Sequence, residues 1–153
     1  MVESGWHLPS WMYRERRPPN NDSYFENMTR IIFQAGLSWK MISNKWPSFK
    51  KAFADFSTAK VAKFGDSDLK RLMVDKGIVR NKAKIEAVIN NAKEFEKIKE
   101  EWGAFQSYLD SLDKSKNYAL VIKELGKRFH RLGPSSSRIF LYTVGEDVRH
   151  SEK

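Results

Sequence analysis

Four aromatic side chains, Trp6, Trp11, Tyr13 and Trp39, are the residues best suited to hold a flat ring. Large rings that converge on one cavity can sandwich a nucleobase, and a cationic base gains further from cation–π attraction. Trp39 follows an apolar helical run that is interrupted at Gly36, and a glycine within a helix costs about 1 kcal/mol relative to alanine. The interruption marks a corner that can hold a flat ring at the mouth of a cleft. Taken alone, the geometry favours a packed helix–helix corner with a core tryptophan, because aromatic residues mostly pack.

A second candidate site is the turn at 132–137, where one helix ends and another begins. The start of a helix presents free backbone N–H groups, which together with serine hydroxyls can bind a phosphate. The alternative is an ordinary helix–helix corner with serine caps. The candidate phosphate-binding residues in and beside this turn are Arg131, Gly133, Ser135, Ser136, Ser137 and Arg138.

A third candidate is a basic helix start that contains Arg80, Lys82 and Lys84. Positive charge is unfavourable at this end of a helix dipole, so an external anion would compensate for it. Solvated lysines are the alternative.

The charge composition of the chain favours a polyanionic partner such as nucleic acid. The chain has 153 residues, with 28 Lys and Arg against 19 Asp and Glu, giving a net charge of +9. It has no cysteine, which excludes disulfides and thiolate metal sites. No apolar run approaches the roughly 20 residues that span a bilayer, and the first ten residues carry no signal pattern. A cytoplasmic monomer is therefore the expectation.

Apolar residues recur at three- and four-residue spacing and do not alternate, so the chain is predicted to be all-α. Ser23 and Glu26 are spaced as a capping box for the first long helix, and Pro47 is expected to open a new helix over 48–54. Asn81 is expected to begin the longest helix, which ends at Gly103.

Two further boundaries follow from the pattern. The last helix is expected to run from about residue 139 to 144, after a turn over 130–137. Residues 1–21 are rich in aromatic residues, which disordered tails lack, so they are predicted to be an ordered arm that packs on a single helical domain spanning 1–153.

Several sequence motifs of this chain together resemble those of a known family. The motifs that carry the resemblance are Phe25-Glu26, Gln34-Ala35-Gly36-Leu37-Ser38-Trp39, Gly77-Ile78-Val79-Arg80, Lys84-Ile85, and Leu132-Gly133-Pro134-Ser135 with Tyr142. In this order, from Gly5-Trp6 to about Gly145, they closely resemble the DNA-3-methyladenine glycosylase I family of helix-hairpin-helix glycosylases. The resemblance implies an all-helical body of two lobes around a cleft for an extruded base. It also implies that the chain is a DNA repair glycosylase and that its partner is double-stranded DNA with a damaged base.

Two departures from the family affect the chemistry. The family's pocket glutamate, which hydrogen-bonds the methylated adenine, falls at Ile31 in this chain. The family's zinc site uses cysteines and histidines, whereas this chain has Ser4 near the first cysteine position and only His150 as a matching histidine. No metal and no other cofactor is predicted, because one histidine does not make a tetrahedral site.

An N3-alkylated adenine already carries positive charge and leaves as a neutral molecule, so stacking by Trp6 and Trp39 could suffice without the glutamate. Asp147 and Glu146 are the candidates for the aspartate that many superfamily members use to assist water. Lyase-type members of the superfamily carry a nucleophilic lysine in the hairpin. The corresponding position here falls near Ser136 or Ser137, which predicts a monofunctional glycosylase without a Schiff base. The rival hypotheses are a non-catalytic DNA-lesion binder on the same fold, motivated by Ile31, and an unrelated basic helical module.

Overall fold

The computed structural model describes residues 8–149, and within this range it contains helices and no β-strand. In chain order the helices are α1 (Asn21–Gln34), α2 (Trp39–Ala52), α3 (Thr58–Val61), α4 (Asp66–Met73), α5 (Lys82–Trp102), α6 (Phe105–Asp110), α7 (Ser115–Arg128) and α8 (Pro134–Thr143), with a 3-10 turn over Ala54–Phe56. The predicted all-α class is confirmed. No helix of this part of the chain is long and apolar enough to cross a membrane.

Two groups of helices form the lobes, and α1 and α5 join them. The helices α2, α3 and α4 make one group, while α6, α7 and α8 make the other. Helix α1 contacts α2 and α3 of the first group and α6 and α8 of the second, and α5 contacts α3, α4 and α6. The two joining helices can therefore present residues to a cleft from both lobes.

Aromatic rings fill the core between these helices. Phe25 of α1 meets Phe95 of α5 with ring centroids 5.5 Å apart. In the first lobe Trp46 stacks on Phe49 at 5.0 Å and on Phe56 at 5.1 Å. All five rings are at most 5% exposed, so this packing fixes α1 against α5 and α2 against the 3-10 turn.

Several helix boundaries follow the predicted capping. The side chain of Asn81 accepts a hydrogen bond from the Lys84 N–H at the start of α5, and Gly103 ends that helix with φ +80°. The break at Gly36 is also confirmed, because its φ of +77° is a conformation that favours glycine.

Three boundaries were predicted wrongly. Asn20, not Ser23, caps α1, because its side chain accepts from the Ser23 N–H. Helix α2 runs through Pro47 instead of restarting there. Helix α8 begins at Pro134, about five residues before the predicted start at 139.

The physical reasons lie in tertiary contacts and in proline chemistry. Glu26 does not complete a capping box, because its carboxylate accepts from the indole N–H of Trp46 at 2.8 Å. That bond and the stacking of Trp46 hold α2 helical through the proline that follows it. Pro134 suits the first position of α8 because it has no N–H to leave unpaired.

The described part of the N-terminal arm, residues 8–20, contacts the body at several points. The Tyr13 N–H donates to the Thr143 carbonyl at 2.8 Å, and the buried amide of Asn27 donates to the carbonyls of Trp11 and Thr143. Gly145 lies so close to the Arg16 carbonyl that a Cβ would overlap it. The arm is thus tied to the middle of α1 and to the end of α8.

Candidate base-binding site and nucleic-acid interface

The corner between α1 and α2 holds Trp39 at the protein surface. After α1 ends, the Leu37 N–H donates to the Gln34 carbonyl at 2.9 Å, and Gly36 reverses the chain. The Ser38 hydroxyl then accepts from the Met41 N–H and caps α2. As the first residue of α2, Trp39 is 43% exposed, so its ring offers a face to a ligand.

Lys84 anchors this corner from the start of α5. Its ammonium donates to the carbonyls of Phe33, at 3.1 Å, and Ala35, at 3.0 Å. A cation suits this position because α1 ends here with unpaired carbonyls. Burial, together with the charge of Arg131, lowers the pKa of Lys84.

The predicted DNA contact at Lys84 is therefore corrected. Its side chain is buried and its ammonium is committed to two carbonyls, so it positions the corner and does not face a phosphate. A signal for this was present in the sequence. Lys84 lies four residues before Val88, in the register of the buried stripe of α5.

The structure brings Trp11 together with Trp39, with ring centroids 6.0 Å apart and planes tilted by 49°. Between Trp11 and Trp46 lies a guanidinium that the sequence reasoning missed, that of Arg30. Its Cζ is 4.3 Å from the Trp11 centroid and 4.8 Å from the Trp46 centroid, and its Nη2 donates to the Ser43 hydroxyl at 2.8 Å. Burial lowers the pKa of Arg30 to about 10, although the charge of Glu26 opposes this.

The other predicted base-binding residues have different surroundings. Tyr13 stacks with the guanidinium of Arg16, whose Cζ is 4.4 Å from the ring centroid. Ile31, next to Arg30 on α1, is buried in the apolar core. Trp6 lies outside the described residues.

A hairpin between α7 and α8 is held on α5 by Asn91. The Asn91 amide donates to the His130 carbonyl at 3.1 Å, and its oxygen accepts from the His130 N–H at 2.7 Å. Beyond the hairpin Gly133 precedes α8, whose first intrahelical bond runs from Ser137 N–H to the Gly133 carbonyl. The N–H groups of Ser135 and Ser136 are therefore left to point out of the helix start.

Ser137 needs a correction as a phosphate contact. It is fully buried, and its hydroxyl donates to the Leu132 carbonyl at 3.1 Å. The hydroxyl closes the hairpin from within and is unable to meet a ligand.

The basic residues around the hairpin fall into two kinds. Arg80, Lys82 and Arg131 are exposed, and none of them forms an ion pair within residues 8–149. Arg138 instead donates to the carbonyls of Asn117 and Arg149. It lines a cleft of about 370 Å³ beside Ser135 at the start of α8.

Glu146, a candidate catalytic acid, is itself buried and pairs with two partly exposed cations. Its carboxylate is 3.2 Å from Arg17 and 2.9 Å from Lys114, and it accepts a hydrogen bond from the Tyr118 hydroxyl. This cluster ties the arm to α7. The side chain of the other candidate, Asp147, is exposed, and its N–H donates to the Tyr118 hydroxyl. Neither carboxylate contacts Trp39, so the catalytic role stays a prediction.

The donor set does not fit the family's zinc site. The chain has no cysteine, and residues 8–149 contain no group of three His, Asp or Glu side chains that could hold a metal ion. Ser4 and His150 lie outside the described residues.

Fold and site together define a helix-hairpin-helix protein with an aromatic site beside a basic surface. The model of the methyladenine glycosylase family matches residues 5–138. The chain belongs to that family, and the resemblance seen in its sequence is confirmed.

Individual relatives agree with this assignment. DNA-3-methyladenine glycosylase 1 of Escherichia coli is 34% identical over 102 residues, covering 62% of this chain and 54% of that protein. DNA-3-methyladenine glycosylase of Haemophilus influenzae is 39% identical over 84 residues, covering 54% and 45%. The chain thus spans about half the length of these curated relatives. A solved structure of 3-methyladenine DNA glycosylase I from Staphylococcus aureus superposes with a TM-score of 0.76 at 27% identity, covering 88% of this chain and 80% of that one.

Proposed function

We propose that this protein is a monofunctional DNA repair glycosylase that acts as a monomer on duplex DNA and hydrolyses the N-glycosidic bond of an extruded alkylated or otherwise modified base. The observation that carries the proposal is the exposed Trp39 ring on a corner that Lys84 anchors, next to Trp11. A base rotated out of the duplex needs a stacking surface of this kind. Family membership supplies the reaction class.

The hairpin gives the second support. The free N–H groups at the start of α8 and the exposed Arg80, Lys82 and Arg131 can hold phosphates on either side of the extruded nucleotide. The basic net charge of the chain favours the same partner.

The chemistry requires no covalent enzyme intermediate. The bond between C1′ and the base nitrogen breaks, and its electron pair leaves with the base. A water oxygen forms the new bond to C1′ and gives up a proton. The turn at 130–137 contains no lysine that could attack C1′, which supports hydrolysis without a Schiff base.

A base-release assay tests the proposal. Duplexes that each carry one modified base, among them 3-methyladenine, 7-methylguanine, hypoxanthine and uracil, are incubated with the protein, and the free base is measured. We expect release of at least one of these bases, with a loss of about tenfold or more in Trp39→Ala, because one base–aromatic stack contributes about 1–3 kcal/mol. Leu120→Ala, which truncates a side chain that is 53% exposed on α7 in the other lobe, is the control.

A non-catalytic lesion binder is the second candidate. The buried hydrocarbon of Ile31 and the ion-paired carboxylate of Glu146 favour it, because neither offers an acid to the space near Trp39. Tight binding to a modified duplex without release of any base from the panel would replace the glycosylase with this function.

A further inference from the structure

A groove of about 430 Å³ runs along α7 beside the start of α8. We call it the α7–α8 groove. The α7 residues that line it are 119, 122, 123, 126 and 127, spaced so that they share one face of the helix. Ile122 is buried, whereas Ala119, Gly126 and Pro134 of the lining are exposed. These four residues carry no polar side chain, so the lining is apolar between its charged residues.

Gly126 deepens the α7–α8 groove without being required by the fold. Its φ is not in the left-handed region, and an added Cβ would lie 3.5 Å from the Leu132 carbonyl oxygen, an ordinary van der Waals contact. Glycine is also a poor helix former, because it loses more conformational freedom on folding than alanine does. Alanine would therefore fit here and favour the helix, and the space left by the missing side chain belongs to the groove.

Positive charge surrounds the α7–α8 groove, and none of the described residues that line it is acidic. Lys123 and Lys127 are exposed, and neither forms an ion pair within residues 8–149. Because they are four residues apart on one helix, their like charges repel. Arg138 adds a third positive charge from α8. An anionic group placed between the two lysines would relieve their repulsion.

The grooves between α4 and α5 differ in this respect. They are lined by Asp66 and Glu86 as well as by Lys70 and Lys93, so they present both signs of charge. The α7–α8 groove combines one sign of charge with an apolar lining. This combination is complementary to a ligand that carries negative charge next to apolar groups.

A nucleic-acid backbone would use only part of this surface. Phosphates gain from the lysines, but they gain nothing from covering an apolar lining, and Pro134 has no N–H to donate to them. Apolar side chains of a protein do gain from leaving water against that lining. The chemistry of the α7–α8 groove therefore favours an acidic protein segment over DNA.

The shape of the groove favours a helix as its occupant. An extended peptide binds by pairing with a sheet edge, and residues 8–149 contain no strand. A proline-rich peptide needs a groove lined by aromatic rings, and no described residue that lines the α7–α8 groove is aromatic. The α7 wall from 119 to 127 is about 12 Å long, which is about two turns of a helix.

We propose that the α7–α8 groove docks an acidic amphipathic helix of a partner protein. Two turns of that helix place apolar side chains over Gly126, and its carboxylates face Lys123 and Lys127. The inference goes beyond base release and does not depend on it. Because the groove includes Pro134, the first residue of α8, a partner docked there is held beside the hairpin that is proposed to bind DNA.

Peptide selection tests the inference. A phage library of peptides, about 16 residues long so that an isolated helix can form, is selected on the whole chain, with Gly126→Leu in excess as the counter-target. We expect the selected peptides to carry Asp and Glu beside an apolar stripe at helical spacing. Their affinity, from fluorescence anisotropy, should fall by at least tenfold in Gly126→Leu and in the double variant Lys123→Glu with Lys127→Glu.

Lys70→Glu with Lys93→Glu is the matched control, because it makes the same charge change at exposed lysines of the α4–α5 grooves. It should leave the affinity for the peptides nearly unchanged. Gly126→Ala should unfold at the same urea concentration as wild type or higher and bind the peptides less tightly. If Gly126→Leu does not fold, Gly126→Ala and the double variant of Lys123 and Lys127 still decide the question.

Four results would overturn the inference. Selection would yield no peptide whose binding depends on Gly126, or the selected peptides would lack acidic residues. The control variant of the α4–α5 grooves would weaken peptide binding as much as the double variant of Lys123 and Lys127 does. Finally, a loss of duplex affinity in Gly126→Leu, without any selected peptide, would assign the α7–α8 groove to DNA.

Discussion

Lys84 shows at the scale of one residue how a charge can be structural in a basic protein. Its neighbours Arg80 and Lys82 are exposed, but its own ammonium closes the end of α1 by donating to two carbonyls. Three positive residues within five positions therefore divide into two roles. Charge and spacing alone could not separate them, because the difference depends on where the end of α1 packs.

Lys84→Met should destabilise the fold. The side chain keeps its length but leaves the Phe33 and Ala35 carbonyls without their donor, which costs about 1–3 kcal/mol. Urea unfolding measures this cost. Lys82→Met, two residues earlier on the same helix, should leave the free energy of unfolding nearly unchanged and lower DNA affinity instead; equal destabilisation by both variants would contradict the anchoring role.

Asp110 gives the fold a dependence on acid. Its carboxylate receives two hydrogen bonds from Arg17 at 2.7 Å, and this pairing, with Lys114, lowers the pKa of Asp110 to about 2. A folded-state pKa below the unfolded value of about 3.9 contributes stability above pH 4, which is lost as the pH falls toward 2. Asp110 thus strengthens the attachment of the arm at neutral pH.

Asp110→Asn should therefore be less stable than wild type at pH 7, and the gap should narrow between about pH 4 and pH 2. Urea unfolding over this pH range measures it. Asp55→Asn makes the same charge change at a side chain that is 81% exposed and serves as the control. A gap between wild type and Asp110→Asn that stays constant with pH would show that the pairing contributes nothing.

At the scale of elements, the arm packs against the end of α8 at Gly145, where the absence of a side chain lets the two backbones approach closely. Its φ is +90°, and a Cβ on it would overlap the carbonyl of Arg16. Gly103 has a similar φ of +80°, but a Cβ there would have no neighbouring atom within 4 Å. The two glycines therefore separate backbone strain from close approach.

Gly145→Ala should undock the arm, whereas Gly103→Ala should cost only the strain of a left-handed alanine, about 1–2 kcal/mol. Overpacking at Gly145 adds about 1–3 kcal/mol. Hydrogen exchange at the Tyr13 N–H, which donates to Thr143, reports docking directly. Unchanged protection of this amide in Gly145→Ala would refute the close-approach argument.

Helix boundaries were predictable where a local cap decides them and not where packing does. Asn81 and Gly103 delimit α5 through their own side chain and backbone. By contrast, α2 continues through Pro47 because Trp46 is fixed by Glu26 and two phenylalanine rings. The same limit applies to the site: Trp39 was predictable from its motif, whereas the stacking of Arg30 between two indoles depends on long-range packing.

At the scale of the whole molecule, the positive charge is distributed by pairing. Acidic residues gather around a few cations, as Glu94 and Glu101 do around Arg128. The exposed cations Arg80, Lys82 and Arg131 form no such ion pair within residues 8–149, and the charge of Arg131 helps to lower the pKa of Lys84. The excess charge of +9 thus has a surface where it can meet phosphates, next to the exposed Trp39.

Neutralising this surface should reduce the salt dependence of duplex binding. Each phosphate contact contributes about −0.9 to the slope of log K against log salt, so Arg80→Gln with Lys82→Gln should reduce the slope by up to about 2. Lys99→Gln is the control, because it removes an exposed charge from the same helix, α5, 17 residues beyond Lys82 and about 25 Å along its axis. Fluorescence anisotropy measures the slope of duplex affinity over a salt range of about 50 to 200 mM. The double variant removes two charges and Lys99→Gln removes one. If Lys99→Gln reduced the slope by half as much as Arg80→Gln with Lys82→Gln, binding would follow net charge alone, and the phosphate-binding surface would not lie beside Trp39.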